Sequence, residues 1–302
     1  MTSKIALVTR ASGAQGRGVT QHLLQSGWTV HALVSDRDND RAQALETSGA
    51  ILFTGTLSDQ KSVTTAIQGA TALYLTQMPS FLDDSEVREA ASLLNLAKNA
   101  GVKHVVHGTT LPLNNPNVRE KFTSPPFSIV GAAILPKGEV EDLVRRSGIT
   151  WTILRLGYFM NNFVPPTGYF AELTEGKLVT PFKPDTVLPL VDPEDIGAFA
   201  VAAFEDPVKF GGQIITTVSE RLGVHDIAAK IGRVNGQTVD VSYMSDEDIE
   251  KGMSNPYLVG QLASQGLDEL VDMDDVIKWD VKLTSFDNFL HKHRELVVPR
   301  AS

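Results

Sequence analysis

Residues 8–19 read VTRASGAQGRGV, a run of small side chains directly after an apolar segment. Small residues are needed where a chain turns sharply after a strand, brings its amides close to a diphosphate and packs the next helix tightly on a sheet. Ala11, Ser12, Gly13, Ala14 and Gly16 meet that need. A helix beginning near Gly16 adds free N–H groups and the positive end of its dipole. The bulky exception is Arg10, standing where the first glycine of such a turn is expected. An L-residue in the β or bridge region can still make the turn, and a guanidinium there can touch phosphate directly.

A dinucleotide site reads the adenine ribose about 20 residues past the glycines. The chain offers Val34, Ser35, Asp36 and Arg37 at that place. An acid favours the free 2′-hydroxyl of NAD and an arginine the 2′-phosphate of NADP; both types are present, so the register decides.

Further groups could carry protons. His107, in VVHG, could titrate near neutrality, although a histidine in such a run is also an ordinary hydrogen-bonded core residue. Thr109 and Thr110 follow it. Lys137 stands beside Glu139 and Glu141 on a helical stretch, where it is either part of a solvated face or, if buried, a proton donor or relay. Asp192, Glu194 and Asp195 surround Pro193 and read as the start of a helix rather than as an acidic site. The HKH at 291–293 lacks partners at metal-ligand spacing, so no metal site is expected. Tyr158, Phe159, Phe163, Tyr169 and Phe170 crowd a turn-rich stretch and suggest a pocket for an apolar or aromatic ligand.

The elements that must position these groups alternate. Strand-like KIALV (4–8), TVHALV (29–34), ILFTG (51–55), ALYLT (72–76), HVVH (104–107) and ITWTILRL (149–156) are short and apolar on both faces. Helical runs over 16–26, 41–47, 59–67, 84–100 and 136–147 separate them. That alternation predicts an α/β fold, a doubly wound parallel Rossmann sheet. After about Tyr158 the rhythm loosens into KLVTPF, VLPLV, a helix over 193–205, QIITTV (213–218) and TVDVSYM (238–244). The expected organisation is a nucleotide-binding domain over 1–157, to which parts of 187–220 return, and a smaller α+β lobe over 158–302 that mainly binds substrate.

Composition narrows the classes. The 302 residues are 42% hydrophobic and 21% charged, enough for a full core. With no cysteine, disulfides and thiolate metal sites are excluded. No apolar run approaches the roughly 20 residues of a membrane span. A net charge of −9 argues against a general nucleic-acid surface. The expectation is a cytoplasmic, untargeted chain, a monomer or homodimer, with no membrane or nucleic-acid partner.

Taken with GTLSD (55–59), VKHVVHGTT (102–110), LPKGEVEDLVRRSGITWTILRLGYFMNN (135–162) and LVDPEDIGAFA (190–200), the phosphate loop makes nearly the whole chain resemble the NmrA-like branch of the atypical short-chain dehydrogenases/reductases. The resemblance implies a Rossmann domain and a small C-terminal lobe with NADP or NAD between them. It implies that Gly13, Ala14, Gln15 and Gly16 hold the pyrophosphate and that Thr56 and Leu57 flank the adenine. Thr76, Gln77 and Met78 would pass the nicotinamide ribose, Lys137 would donate to the ribose hydroxyls, and Tyr158, Phe159 and Asn162 would line the nicotinamide end. Thr109 and Thr110 stand where the superfamily places a hydroxyl that polarises the substrate oxygen.

The departures also carry information. The tyrosine that carbonyl-reducing relatives carry four residues before the lysine is Ala133 here. Arg10 replaces a Gly or Asn, Thr56 an aspartate, and Ser35 the arginine common in NADP-selective relatives. The resulting expectation is an NAD(P)H-dependent oxidoreductase, NADP with NAD as the alternative, acting on an apolar, aromatic or polyketide-like molecule. Lys137, Thr110 or water would give the proton. Two rivals stand beside it: a redox-sensing regulator that reads the nucleotide for a protein partner, and a nucleotide-independent isomerase or cyclase using His107 or Lys137.

Overall fold

The computed structural model describes residues 4–164, 172–174 and 176–297. Short apolar runs bounded by turn residues become the central strands. These are β1 (Ile5–Val8), β2 (Thr29–Val34), β3 (Ile51–Thr54), β4 (Ala72–Leu75), β5 (His104–Gly108) and β6 (Thr150–Leu156). Their side chains are buried on both faces at β4 and β5, the pattern of a sheet covered by helices on both sides. The helices along this part of the chain are α1 (Ala14–Gln25), α2 (Asp40–Thr47), α3 (Gln60–Ala66), α4 (Ser85–Ala100), α5 (Val118–Thr123) and α6 (Ser128–Arg146), of which α5 belongs to the second of the two units described below.

In the remaining chain, strands β7 (Tyr158–Phe159), β8 (Glu172–Thr174), β9 (Lys177–Thr180), β10 (Val187–Val191), β11 (Gln213–Thr217), β12 (Glu220–Gly223) and β13 (Asp240–Tyr243) alternate with further helices. Of these helices, α7 (Pro193–Glu205), α8 (Pro207–Phe210) and α9 (Val224–Asn235) are followed by five short ones. One sheet of seven strands runs β11-β6-β5-β4-β1-β2-β3, and the pairs of β1 with β2 and β4, β2 with β3, β4 with β5, and β5 with β6 are all parallel. The order reverses between β1 and β4, which makes this the doubly wound Rossmann arrangement the strand pattern predicts.

Two compact units divide the chain. The first comprises 1–110, 132–155 and 193–215; the second comprises 111–131, 156–192 and 216–302. Within the first, α1 lies against α7 at glycines. A Cβ on Gly18 would sit 2.5 Å from the Pro193 carbonyl oxygen, and one on Gly197 would sit 2.4 Å from that of Gly18. The irregular stretch after Tyr158 resolves, in the second unit, into two three-stranded sheets, β12-β10-β7 and β13-β9-β8. The two-residue β7 and the polar β12 carry no alternating pattern, which is why they were not legible.

One helix departs from its expected bounds. A proline is favoured at the first helical position, so the sequence reading starts a helix at Pro136. In the structure α6 begins at Ser128 and carries Pro136 in its interior. The preceding SIVGAAIL supplies enough helix-forming and apolar residues to continue the helix through a missing N–H.

Candidate active site

The carboxyl ends of β1 to β4 open on one cavity of about 760 Å³, and every residue lining it belongs to the first unit. It lies at the point where the strand order reverses, the crevice in which such sheets bind ligands. Arg10, Ser12 and Gly13 line it from β1, Leu33 and Ser35 from β2, and Gly55, Thr56 and Leu57 from β3. The segment from Gln77 to Asp83, with Ser85, Glu86 and Glu89 of α4, closes the side beyond β4.

Arg10 has φ +48°, in the left-handed region, so it takes up the glycine's conformation instead of avoiding it. The expectation of a β or bridge conformation is thereby corrected. The turn closes through Gly13 N–H donating to the Arg10 carbonyl at 2.9 Å, and Ala11 N–H donating to Leu33 at 3.0 Å. Gly16 allows α1 to sit on this turn, since a Cβ there would lie 2.3 Å from the Arg10 oxygen. The helix starts at Ala14 after Gly13, and no side chain caps it. Its first N–H groups are thus open to an acceptor from outside the chain.

Other members of the expected cofactor set face elsewhere. The Gln15 Oε1 accepts from the Tyr74 and Thr76 hydroxyls, each at 3.0 Å, so Gln15 and Thr76 tie the loop to β4. Ala14 and Gly16 stand behind the lining. At the end of β2 it is Ser35 that lines the cavity. Arg37 pairs with Glu46 on the exposed surface, and the Asp36 carboxylate accepts from the Asp38 N–H at 2.9 Å. The register thus points neither the acid nor that arginine at the cavity, and Arg10 is its one cation among the described residues.

The expected proton carriers are mostly internal. His107 is 2% exposed, its Nδ1 is 2.9 Å from the Leu75 carbonyl oxygen, and burial pushes it down to about 4. It is therefore neutral at physiological pH, against the expectation of titration near neutrality. The Thr109 hydroxyl, buried, donates to Glu141 at 2.9 Å. Thr110 is half-buried at the end of the same strand. Lys137 is 15% exposed and its Nζ lies 2.7 Å from Glu86 Oε1, so it is not on a solvated face. Glu86, not Lys137, lines the cavity. Ala133 lies one helical turn before Lys137 on the same helix.

The aromatic stretch is corrected most. Tyr158 and Phe163 are buried in the core of the second unit, with ring centroids 5.6 Å apart and Phe182 6.1 Å from Tyr158. Burial pushes the Tyr158 phenol up, despite a hydrogen bond with Asn162. These rings fill a core because the short strands around them, β7 and β9, need apolar cover. Phe159 and Asn162 are half-buried in this second unit, and Tyr169 and Phe170 lie outside the described residues. Exposed apolar surface is found instead after β4: Met78 is 58% exposed, Phe81 51% and Leu82 97%, and all three line the cavity. The sequence signal for Phe81 and Leu82 was present, a bulky apolar pair between Pro79 and two aspartates, where a surface loop has no core reason for one.

The acids lie on this same side. Glu89 is pushed up by burial, while hydrogen bonds from Ser80 and Ser85 hold Asp83 down at about 2. The cavity therefore has a cation beside β1 and β2, carboxylates along α4, and apolar side chains between. A phosphate fits beside Arg10 and the uncapped helix start, and a flat apolar ring fits against Met78 and Phe81. The residues present accordingly suit a nicotinamide dinucleotide.

The chain is 28% identical over 232 residues to (4-alkanoyl-5-oxo-2,5-dihydrofuran-3-yl)methyl phosphate reductase of Streptomyces griseus, covering 76% of this chain and 74% of that protein. It is 26% identical over 257 residues to the NAD(P)H azoreductase of Xenophilus azovorans, covering 85% and 83%. The fold matches NmrA, a negative transcriptional regulator solved with NAD and with NADP, with TM-scores of 0.73 and 0.72 at 23% identity, covering 96% of this chain and 94% of that one. No helix among the described residues is long and apolar enough to cross a membrane. The model of the NmrA-like family matches residues 1–277, and the chain belongs to that family.

Proposed function

We propose that this chain is an NADPH-dependent oxidoreductase that reduces a flat, apolar, conjugated acceptor. The observation that carries the reading is the cavity at the sheet's reversal point, which joins an uncapped helix start, Arg10 and an exposed apolar wall. The bound nicotinamide would supply a hydride. Gly13 and the first amides of α1 would hold the diphosphate, and Arg10 with Ser35 would meet the adenosine half. Arg10 favours NADP over NAD because no carboxylate lines the cavity at the end of β2 to receive a free 2′-hydroxyl.

The substrate class follows from what is missing. With Ala133 in the phenol's place and Lys137 held by Glu86, no strong acid stands ready. An acceptor whose reduced form is a stabilised anion, such as a quinone or an azo dye, needs none, since water can deliver the proton afterwards. An isolated ketone would need one. Reductase activity among the named relatives supports this reading. The isomerase alternative draws little support, because its base, His107, is buried and neutral.

The test is titration calorimetry with NADPH and NADH, followed by NADPH oxidation at 340 nm with quinones, azo dyes and simple ketones. Tighter NADPH binding and turnover of the conjugated acceptors alone are expected. Failure of both nucleotides to bind at millimolar concentration overturns the proposal. The regulatory reading is favoured by Ala133 and by the fold shared with NmrA. It predicts nucleotide binding with no turnover of any acceptor.

A further inference from the structure

We infer that Tyr74 is a positioning residue for the diphosphate: with Thr76 it latches Gln15 to β4, and so holds the first turn of α1 in place without spending the amides of that turn. The inference rests on the nucleotide reading and adds to it the part of the sheet that sets the loop's geometry.

A helix start that has to receive a phosphate faces a conflict. The usual anchor is a side chain at the N-cap, which accepts from the N–H of the second or third helical residue and so spends a donor the ligand needs. In α1 those residues are Gln15 and Gly16, and the N-cap Gly13 spends neither. A first turn without an anchor frays. The Gln15 side chain supplies the anchor from another direction, because its Oε1 accepts from the Tyr74 and Thr76 hydroxyls, each at 3.0 Å. Both donors are held in place. Tyr74 is fully buried, and burial pushes its phenol up, so it stays protonated. The Thr76 N–H donates to the Thr9 Oγ1, and that hydroxyl donates to the Thr76 carbonyl, both at 2.8 Å, which joins the residues that follow β1 and β4.

The neighbouring strand makes room for this latch. A Cβ on Gly108, at the end of β5, would lie 2.5 Å from the Tyr74 hydroxyl and 2.6 Å from Gln15 Oε1. No positive φ calls for a glycine there, so the latch itself is what excludes a side chain. Gln15, Tyr74, Thr76 and Gly108 all belong to the first unit. Ser12 and Gly13 of the same turn line the cavity, whereas Gln15 and Tyr74 do not. Tyr74 therefore acts on the ligand at one remove, through Gln15 and the backbone that carries the open amides. The contact with pyrophosphate that the family resemblance gives to Gln15 becomes, in this chain, a hold on the backbone that makes the contact.

The experiment measures dissociation constants by calorimetry on the full chain, with thermal melting of each variant in the absence of nucleotide. NADPH and 2′-phospho-ADP-ribose are the probes that carry a diphosphate, and adenosine 2′-monophosphate is the probe that does not. Tyr74→Phe, Thr76→Val and the two together remove the donors, and Gln15→Met removes the acceptor. The pair of donor variants is expected to bind both diphosphate probes roughly 10-fold more weakly, with the monophosphate unchanged. If the pair does not melt as a folded protein, the single variants carry the test, each with about a 3-fold loss. In a Gln15→Met background, Tyr74→Phe should cost no further affinity, since both changes act through one hydrogen bond. Diphosphate affinity unchanged, whatever the melting temperature, would mean that the bonds serve stability alone, and overturns the inference. An equal loss for all three probes overturns it too, as does a Tyr74→Phe loss that adds in full to that of Gln15→Met. A wild-type chain that binds neither diphosphate probe instead removes the nucleotide reading itself.

Discussion

Glu141 and Glu86 are 1% and 2% exposed, and each faces a cation that is 15% exposed, Arg155 and Lys137. Both Lys137 and Glu141 lie on α6, one turn apart. Glu141 uses both oxygens: Oε1 accepts from Thr109 at 2.9 Å and Arg155 Nε at 3.1 Å, and Oε2 accepts from a second Arg155 nitrogen at 2.6 Å. Glu86 uses one oxygen of two, and the other is buried without a hydrogen-bond partner among the described residues. Burial alone therefore does not mark a functional acid. Completeness of hydrogen bonding separates the two, because a finished network serves the fold and an unfinished one leaves a buried acceptor to be met by water or another donor.

The comparison breaks most visibly at Glu141. Glu141→Ala strips three bonds and leaves the Arg155 guanidinium without its counter-ion in a nearly closed site, for which a loss of about 3–5 kcal/mol is expected. Urea unfolding at pH 7 measures it. The ratio of NADPH to NADH affinity should remain that of the wild type wherever the variant is folded. A midpoint equal to that of the wild type would mean that Glu141 is no more structural than Glu86, and the contrast would dissolve.

The strand beside this pair sharpens the same contrast through pH. His104 and His107 on β5 are both pushed down to about 4 by burial. In the unfolded chain they titrate near 6.5. Between pH 6.5 and 4 the unfolded state binds protons that the folded state refuses, so stability is whole above about 6.5 and falls as the pH drops through this window. At pH 5 the loss is on the order of 2 kcal/mol for each histidine relative to pH 7. Urea midpoints at the two pH values measure the sum, and His107→Asn should flatten the slope by about half. A slope unaffected by that replacement would show that His107 keeps access to solvent and could yet serve as a base.

These two networks also show where sequence reasoning reached and where it stopped. The alternating apolar runs located all six leading strands, because residues buried on both faces have one pattern and little freedom to depart from it. Gly13 and Gly16 announced the loop for the same reason: a side chain at Gly16 collides with Arg10. Tyr158 and Phe163 misled, since an aromatic residue in turn-rich sequence looks alike whether it lines a pocket or plugs a core. Glu86 was invisible. In SEVREAA it reads as one more acid in the first turn of a helix, and only the fold brings Lys137, 51 residues further on, against it.

The smallest expected effect tests the other end of the cavity, where the cost is borne by backbone instead of by an unmatched acceptor. Arg10 holds φ +48°, a conformation that disfavours any residue with a Cβ by roughly 1–2 kcal/mol. Arg10→Gly removes that strain but gives the unfolded chain more freedom, which returns part of the gain, so a net stabilisation of about 0.5–1 kcal/mol is expected. The same change removes the cavity's cation among the described residues. NADPH should then bind roughly 10-fold or more weakly while NADH changes little, because only the former presents a 2′-phosphate to the guanidinium. Stability and affinity are thus predicted to move in opposite directions, read by thermal melting and by calorimetry on one variant. A variant that melts lower would mean the left-handed turn is not strained. One that binds both nucleotides as the wild type does would mean that Arg10 is retained for some purpose other than phosphate, and the cationic end of the cavity would lose its assigned role.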